Sequence, residues 1–332
     1  FWSEWLKAME KKVNLVIHGV ESRDEIPGID RITDYVEISC APDLDSMQRC
    51  LPKAEVLLGW NFRAKELRDA WYLAEKLRWV HWSGAGVDAV LFPEFVASNV
   101  QLTNVRGVFD RAMAEYTLGL IFVFAKGMVE TMAAQTEHRW AYRWTDLTLG
   151  QQVLVVGVGS IGRAIGRLLK QAGFEVSGVG RSARNHDPDF DQVYAVEDLM
   201  QLLETPDYVV LIPPLTDQTR GLFGEAEFSA MKSTARFINL GRGELVDEDA
   251  LIAALTSGAI AGAGLDVFRS EPLPKNSPFW DLENCIVSPH MSGDYHGFKE
   301  TVAEVFLDNF ERYRQGRELV NRVDKTLGFV NT

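Results

Sequence analysis

The chain has 332 residues, of which 46% are hydrophobic, and a net charge of −13. That length favours two domains, the hydrophobic share excludes a disordered chain, and so acidic a surface argues against nucleic acid or an anionic membrane as partner. Cys40, Cys50 and Cys285 are too few and too dispersed for a disulfide framework or a zinc site, so no metal is expected and a reducing, cytoplasmic setting is.

The opening Phe1-Trp2-Ser3-Glu4-Trp5 lacks an initiator Met and lacks the basic start, apolar run and cleavage site of a secretory signal. Val13–His18 reads as a first strand and Val56–Gly59 as a second, followed by a helical stretch over 65–76. Trp79–Trp82 reads as a strand that runs into the turn Ser83-Gly84-Ala85-Gly86, and another short strand ends at Asn104. A long helix is predicted over 110–133, with Asp110 as its N-cap. Its small residues Ala112, Ala114, Gly119 and Ala125 suit close packing between domains or subunits. The apolar run inside it, 118–125, is far short of the about 20 residues that span a bilayer, so no membrane segment is expected. From Gln152–Val156 onward, strands and helices alternate to about Ser288, and a last helix is predicted over 298–315. This alternation predicts an α/β fold, with parallel sheets covered by helices. No tandem repeat or low-complexity segment interrupts it.

The strand at 152–156 runs directly into Gly157-Val158-Gly159-Ser160-Ile161-Gly162, a G-x-G-x-x-G turn that opens a helical pattern over 160–172. That context gives the motif its meaning. Gly157 permits the tight turn, Gly159 lets a pyrophosphate approach the backbone, and Gly162 lets helix and strand pack closely. The helix N-terminus at Ser160 and Ile161 then offers unpaired N–H groups and partial positive charge to phosphates. A second strand, 175–179, follows at βαβ distance. An NAD site places Asp or Glu at the end of that strand. Here the strand ends at Gly180 and is followed by Arg181-Ser182-Ala183-Arg184. Guanidinium groups and a serine hydroxyl suit a ribose 2′-phosphate, so NADP is preferred over NAD. Solvated surface charges are the alternative reading of Arg181 and Arg184.

Three later strands end in polar groups. Phe237-Ile238-Asn239-Leu240-Gly241-Arg242-Gly243 presents Arg242. Gly264-Leu265-Asp266-Val267-Phe268 leads to Glu271-Pro272. Ile286-Val287-Ser288-Pro289-His290 ends in a histidine. In doubly wound sheets ligands bind beyond the carboxyl ends of the strands, which aims all three groups at one crevice. A planar guanidinium can hold both the carboxylate and the carbonyl of a 2-keto acid. Hydride addition leaves an alkoxide that needs a proton, which His290 can give and take back. Glu271 would fix the imidazole tautomer and favour its acid form. Each residue alone has a structural explanation, and their joint occurrence after the dinucleotide turn points to chemistry. None of His18, His81, His138, His186 and His296 has a comparable setting in the sequence, His296 being the nearest rival.

On these residues the chain resembles the D-isomer-specific 2-hydroxyacid dehydrogenase family, across nearly its whole length and most specifically over 150–289. It looks most like the branch of NADPH-preferring glyoxylate/hydroxypyruvate reductases. The resemblance implies that Arg242, Glu271 and His290 are catalytic and that Asp266 lies near the nicotinamide amide. It implies that Pro213-Pro214-Leu215-Thr216 lies along the cofactor, with Thr219, Leu240, Gly241 and Ser292 in the same binding set. The backbone amides of Ser83, Gly84, Ala85 and Gly86 would hold the substrate carboxylate as an anion nest, and Trp60 and Trp140 would line the substrate pocket. The implied architecture is two doubly wound parallel-sheet domains. A flavodoxin-like, discontinuous substrate domain takes residues 1–105 and 291–332, and a Rossmann cofactor domain takes 106–290. Catalysis is expected between them, with closure excluding water, in a homodimer formed through the cofactor domain and its long helix. Two stretches depart from the family pattern: Glu115-Tyr116 stands where Ala-Glu-His is common, and Met291-Ser292-Gly293-Asp294-Tyr295 replaces a small-residue run. Both leave the substrate open. Phosphoglycerate dehydrogenase-like activity and a nucleotide-sensing corepressor remain alternatives on the same fold. Formate dehydrogenase-like activity is disfavoured because that branch has Gln where this chain has Glu271.

Overall fold

A computed structural model describes residues 12–63 and 65–331, so the N-terminal segment read above for a secretory signal lies outside the described residues. The chain divides into two compact units. One comprises Phe1–Val108 and Tyr295–Thr332, the other Phe109–Asp294.

The first unit is built on strands β1 (Val13–His18), β2 (Val36–Ala41), β3 (Val56–Gly59), β4 (Trp79–Trp82) and β5 (Gln101–Asn104). All neighbours are parallel, in the order β2-β1-β3-β4-β5, which is the flavodoxin order. β3 and β4 are buried along their whole length, as central strands covered on both faces must be. The edge strand β2 was not singled out in the sequence. Glu37 and Ser39 alternate with Ile38 and Cys40, and only its end residues Val36 and Ala41 are buried. Helices α1 (Leu44–Cys50), α2 (Glu66–Ala70) and α3 (Pro93–Ala97) connect these strands. The helix expected over 65–76 is shorter than predicted. α2 tightens at once into a 3₁₀ turn, Trp71–Leu73, which sets the Trp71 ring edge-on to Phe92 and Phe95 at 5.4 and 5.2 Å. The helix Phe298–Arg314 returns to this unit and stacks Phe306 and Tyr313 on Trp79, at 5.6 and 5.4 Å between ring centroids.

The second unit carries the seven parallel strands β6 (Gln152–Val156), β7 (Glu175–Gly180), β8 (Gln192–Ala195), β9 (Tyr208–Leu211), β10 (Arg236–Asn239), β11 (Gly262–Leu265) and β12 (Cys285–Val287). Their order is β12-β11-β10-β9-β6-β7-β8. The order reverses between β6 and β9, which is the switch point where Rossmann sheets bind dinucleotides. The helices of this unit are α4 (Asp110–Ala125), α5 (Met128–Thr136), α6 (Ser160–Gln171), α7 (Leu199–Leu202), α8 (Glu225–Ala230) and α9 (Glu248–Ser257). Phe298–Arg314 in the first unit completes the series as α10.

The single helix expected over 110–133 is two helices, α4 and α5, bent by 61°. Gly127 between them adopts a left-handed backbone (φ 54°) that glycine tolerates and a helix interior does not. Asp110 is the first residue of α4 rather than its cap, and its carboxylate instead accepts a hydrogen bond from the Ser160 hydroxyl at 2.8 Å. Of the small residues expected at an interface, Ala114 and Ala125 are buried in this unit's own core, whereas Gly119 faces open space. No single helix among the described residues is long and apolar enough to cross a membrane.

Candidate active site

The turn after β6 shows why each glycine is needed. Gly157 has φ 113°, and a β-carbon on it would lie 2.6 Å from the Ile212 carbonyl carbon. A β-carbon on Gly162 would lie 1.9 Å from the Gly157 oxygen. Gly159, by contrast, has nothing within 4 Å of the place a β-carbon would take. Two of the glycines are thus required by packing, and the third keeps the space above the N-terminus of α6 clear. Gly159 is the N-cap of α6 and supplies no side-chain cap, so the first N–H groups of the helix are left for a ligand. Of the two other residues expected here, Ile161 packs into the core beneath and Ser160 spends its hydroxyl on Asp110. These features fit a dinucleotide pyrophosphate.

β7 ends at Gly180, where a β-carbon would meet Val158 Cγ2 at 2.7 Å. The position offers no room for the carboxylate of an NAD-type strand end. Arg181, Ser182 and Arg184 follow it and are exposed. The Arg184 N–H donates to the Val193 carbonyl at 2.9 Å, which ties the segment to β8. The chain then folds back on α6 through Asp187 and Asp189, which meet Arg163 and Arg167. The sequence reading missed this cluster. The i, i+4 arginines and the Asp-x-Asp were its visible signal.

Beyond β9, Pro213 and Pro214 run beside the glycine turn, a β-carbon on Gly157 meeting Pro213 N at 2.6 Å. The Thr219 hydroxyl donates to the Pro214 carbonyl at 2.7 Å and accepts from the Thr216 N–H at 2.9 Å, so it shapes this loop. Next along the sheet, the Asn239 side chain clamps the loop after β10. Its Oδ1 accepts from the Gly241 N–H at 3.0 Å and its Nδ2 donates to the Arg242 carbonyl at 2.9 Å. Leu240 and Gly241 are buried, and Arg242 is half-buried, with one guanidinium nitrogen donating to the Gly241 carbonyl at 2.9 Å. A β-carbon on Gly243 would lie 2.0 Å from the Phe268 carbonyl carbon. The Arg242 loop is therefore pressed directly against the loop that carries Glu271.

Glu271 and His290 meet there. His290 Nδ1 is 2.7 Å from Glu271 Oε2, with the two side chains 20% and 23% exposed. Glu271 Oε1 accepts from the Phe268 N–H at 3.0 Å, so both carboxylate oxygens are engaged. His290 has φ 55°, a left-handed backbone that is unusual for a non-glycine residue and is found where the surroundings over-determine it. Asp266 supplies that constraint. Fully buried, its carboxylate accepts from the Ser288 hydroxyl at 2.6 Å, the Met291 N–H at 2.9 Å and the Ser292 N–H at 2.8 Å. Tyr116 also hydrogen-bonds Ser288, and burial pushes its hydroxyl above the ordinary pKa. The sequence reading placed Asp266 and Ser292 with the cofactor. Here they brace the segment on either side of His290.

In the first unit, the Ser83 N–H donates to the Gly59 carbonyl at 3.0 Å and its buried hydroxyl has no hydrogen-bond partner among the described residues. Phe62 lies over Gly84, the Ala85 carbonyl accepts from Asn104 at 2.7 Å, and Gly86 closes the turn. Trp60 is half-buried, its N–H held by the His18 carbonyl at 3.1 Å. Trp140, in the second unit, is 97% exposed, so it lines no pocket of that unit. His18, for which the sequence showed no setting comparable to that of His290, has its Nε2 3.0 Å from Glu66 Oε2. His18 is wholly buried, and that burial outweighs Glu66 and lowers its pKa. His296 is exposed and belongs to the first unit. Among the described residues no cluster of metal-ligating side chains occurs.

Residues 118–292 match the family model described as D-isomer specific 2-hydroxyacid dehydrogenase, NAD binding domain. A glyoxylate reductase of Korarchaeum cryptofilum is 34% identical over 76% of this chain and 77% of its own. The chain belongs to the D-isomer specific 2-hydroxyacid dehydrogenase family. It is an NAD(P)-dependent oxidoreductase of that family, transferring hydride between a nicotinamide cofactor and a small 2-keto or 2-hydroxy acid. Glyoxylate/hydroxypyruvate reductase B of Citrobacter koseri is 33% identical over 89% of this chain and 93% of its own. Among solved structures, the NADPH-dependent glyoxylate/hydroxypyruvate reductase of Sinorhizobium meliloti, in complex with NADP and sulfate, superposes with a TM-score of 0.84 at 27% identity. It covers 96% of this family member and 100% of its own chain.

Proposed function

We propose that the protein reduces a short 2-keto acid, of the size of glyoxylate or hydroxypyruvate, with NADPH in preference to NADH. The observation that carries this reading is the 2.7 Å pairing of His290 with Glu271, in loops beyond the carboxyl ends of the same parallel sheet whose strand β6 runs into the glycine turn. Arg242 binds the keto acid through its carboxylate and carbonyl. When bound, the nicotinamide supplies the hydride that reduces the carbonyl carbon. His290 Nε2 gives its proton to the oxygen as the alkoxide forms. Glu271 accepts the Nδ1 proton in hydrogen bonding, which fixes the tautomer and stabilises the charged ring. Asp266 and Ser292 hold the His290 segment. The amides of Ser83 to Gly86 are assigned to the substrate carboxylate, with Trp60 beside them. Arg181, Ser182 and Arg184 are assigned to the 2′-phosphate. NADPH-bound relatives support this preference, among them a 2-hydroxyacid dehydrogenase of Xanthobacter autotrophicus that is 28% identical with a TM-score of 0.80.

Residues 1–105 with 291–332 are assigned as the substrate domain and 106–290 as the cofactor domain. The unpaired Cys40, Cys50 and Cys285 suit a cytoplasmic enzyme. A homodimer is the proposed assembly, through the exposed apolar side chains of the segment that follows α5.

The test is NADPH oxidation with glyoxylate, hydroxypyruvate, pyruvate, phosphohydroxypyruvate and longer 2-keto acids. Turnover is expected on the short acids. No turnover on any, with nucleotide binding retained, would replace the reductase by a nucleotide sensor. His290→Ala is expected to lower kcat by about 10³-fold and Glu271→Gln by about 10²-fold, with NADPH affinity retained. A fully active His290→Ala removes it as the acid.

A further inference from the structure

The segment that carries Arg181, Ser182 and Arg184 is exposed, and an exposed loop of long side chains discriminates poorly unless something holds it. Arg163, one residue past the last glycine of the turn, does so. Its Nη1 and Nη2 form a two-pronged bond with Asp187, at 2.9 and 2.7 Å, and Nη1 also reaches Asp189 Oδ2 at 3.1 Å. Arg167, one turn along α6, donates to Asp189 Oδ1 at 2.8 Å. The Asp189 N–H closes the ring on Asp187 Oδ1 at 3.0 Å. The two carboxylates are nearly buried, at 3% and 6% exposed. The approach is close, since a β-carbon on Gly166 of α6 would meet the Asp189 carbonyl oxygen at 2.8 Å.

The charges matter as much as the contacts. Two carboxylates and two guanidiniums cancel, so this cluster adds no net charge beside Arg184. Burial opposes ionisation of Asp187, but the Arg163 hydrogen bonds and the nearby Arg163 and Arg184 charges outweigh it and hold its carboxyl below the ordinary range. Asp187 is therefore an anion within reach of Arg184's field. Without Arg163 it would draw Arg184 to itself and repel a phosphate.

We propose that Arg163 is a positioning residue for cofactor choice: by binding Asp187 and Asp189 it fixes the segment after β7 and keeps Arg184 available to the 2′-phosphate of NADP. It touches neither the reacting atoms nor, in this reading, the phosphate itself. The inference rests on the NADPH preference proposed above and adds the device that sustains it. A buried carboxylate pair left without its guanidinium is costly, so the effect reaches the loop even though Arg163 lies on a rigid helix.

The experiment measures NADPH and NADH dissociation constants by nucleotide fluorescence, for the full chain and its variants. If the unaltered protein binds both equally, the NADPH preference itself fails. If it prefers NADPH, Arg163→Met is expected to weaken NADPH by about tenfold and NADH by less than about twofold. Arg163→Met with Asp187→Asn removes the orphan anion and is expected to recover most of the NADPH affinity. Arg163→Lys keeps the charge and the fold but loses the fork, and is expected to reduce the NADPH-to-NADH preference by about threefold. Equal weakening of both nucleotides, or an unchanged preference in Arg163→Lys, overturns the proposal.

Discussion

Single residues separate what folding requires from what the ligand requires, and the glycine turn is the sharpest case. Gly162 has no room for a methyl group, its β-carbon falling 1.9 Å from a carbonyl oxygen, whereas Gly159 faces open space. Gly162→Ala is expected to destabilise the protein by about 3 kcal/mol or more, as an overpacked site does. Gly159→Ala, at φ −74°, is expected to leave the thermal midpoint unchanged while weakening NAD(P)H by about tenfold or more, because the methyl group occupies the space of the pyrophosphate. Thermal unfolding and nucleotide titration of the two variants check this, and equal loss of stability in both would refute it. This turn was legible in the sequence because its chemistry admits one residue type at fixed spacing. Arg242, Glu271 and His290 stood out likewise, as polar residues in the loops that follow the strands β10, β11 and β12. Residues that act through others left little trace. The Asn239 clamp, the Tyr116–Ser288–Asp266 chain and the pairing of His18 with Glu66 join side chains whose proximity only the folded sheet creates.

Elements were legible where burial is complete and obscure where it is partial. β3 and β9 are unbroken apolar runs, β4 is apolar but for His81, and all three are buried throughout, whereas β2 is a half-polar edge that the pattern did not reveal. The bend between α4 and α5 sits on Gly127, a residue that composition alone does not separate from a tolerated helical glycine such as Gly119. β4 also carries a buried ionisable group. His81 Nδ1 shares the Thr103 hydroxyl at 2.8 Å, with Trp79 and Phe306 packed around it, and burial alone lowers its pKa from 6.5 to about 3. The folded state therefore keeps this ring neutral while the unfolded chain takes up a proton below pH 6.5. Its contribution is complete above pH 6.5 and is lost as pH falls toward about 3, amounting to about 2 kcal/mol between pH 7 and pH 5. His81→Asn is expected to start less stable, because a packed ring is lost, and then to fall by about 2 kcal/mol less over that interval. Urea unfolding of both proteins at the two pH values measures it, with His18 and the carboxylates common to both. Parallel pH dependence in the two would show that His81 is not held neutral.

At the scale of the whole molecule, a strongly acidic charge goes with a run of exposed apolar side chains between 132 and 149. Met132, Trp140, Tyr142, Trp144, Leu147 and Leu149 are between 65% and 97% exposed on the second unit. A monomer seldom exposes so many large apolar side chains within one short stretch of chain. The segment is held in place: Arg143 donates to the Gly127 carbonyl and the Thr131 hydroxyl, and the Asp146 N–H donates to the Ala125 carbonyl at 2.9 Å. Its exposure is thus a fixed presentation of aromatic surface, of the composition that interface cores favour, and a second copy of the chain is the proposed partner. Two such chains repel, each bearing −13, so apolar burial has to overcome a charge term that salt screens within a Debye length of about 8 Å at physiological strength. Two consequences separate this mode of association from one held by ion pairs. Trp140→Asp with Trp144→Asp is expected to convert a dimer to a monomer in sedimentation, with NADPH binding retained because the glycine turn is untouched. Added salt is expected to tighten the unaltered dimer, whereas an interface held by ion pairs would loosen. A monomer at every concentration and salt level would mean that the aromatic face serves something other than self-association.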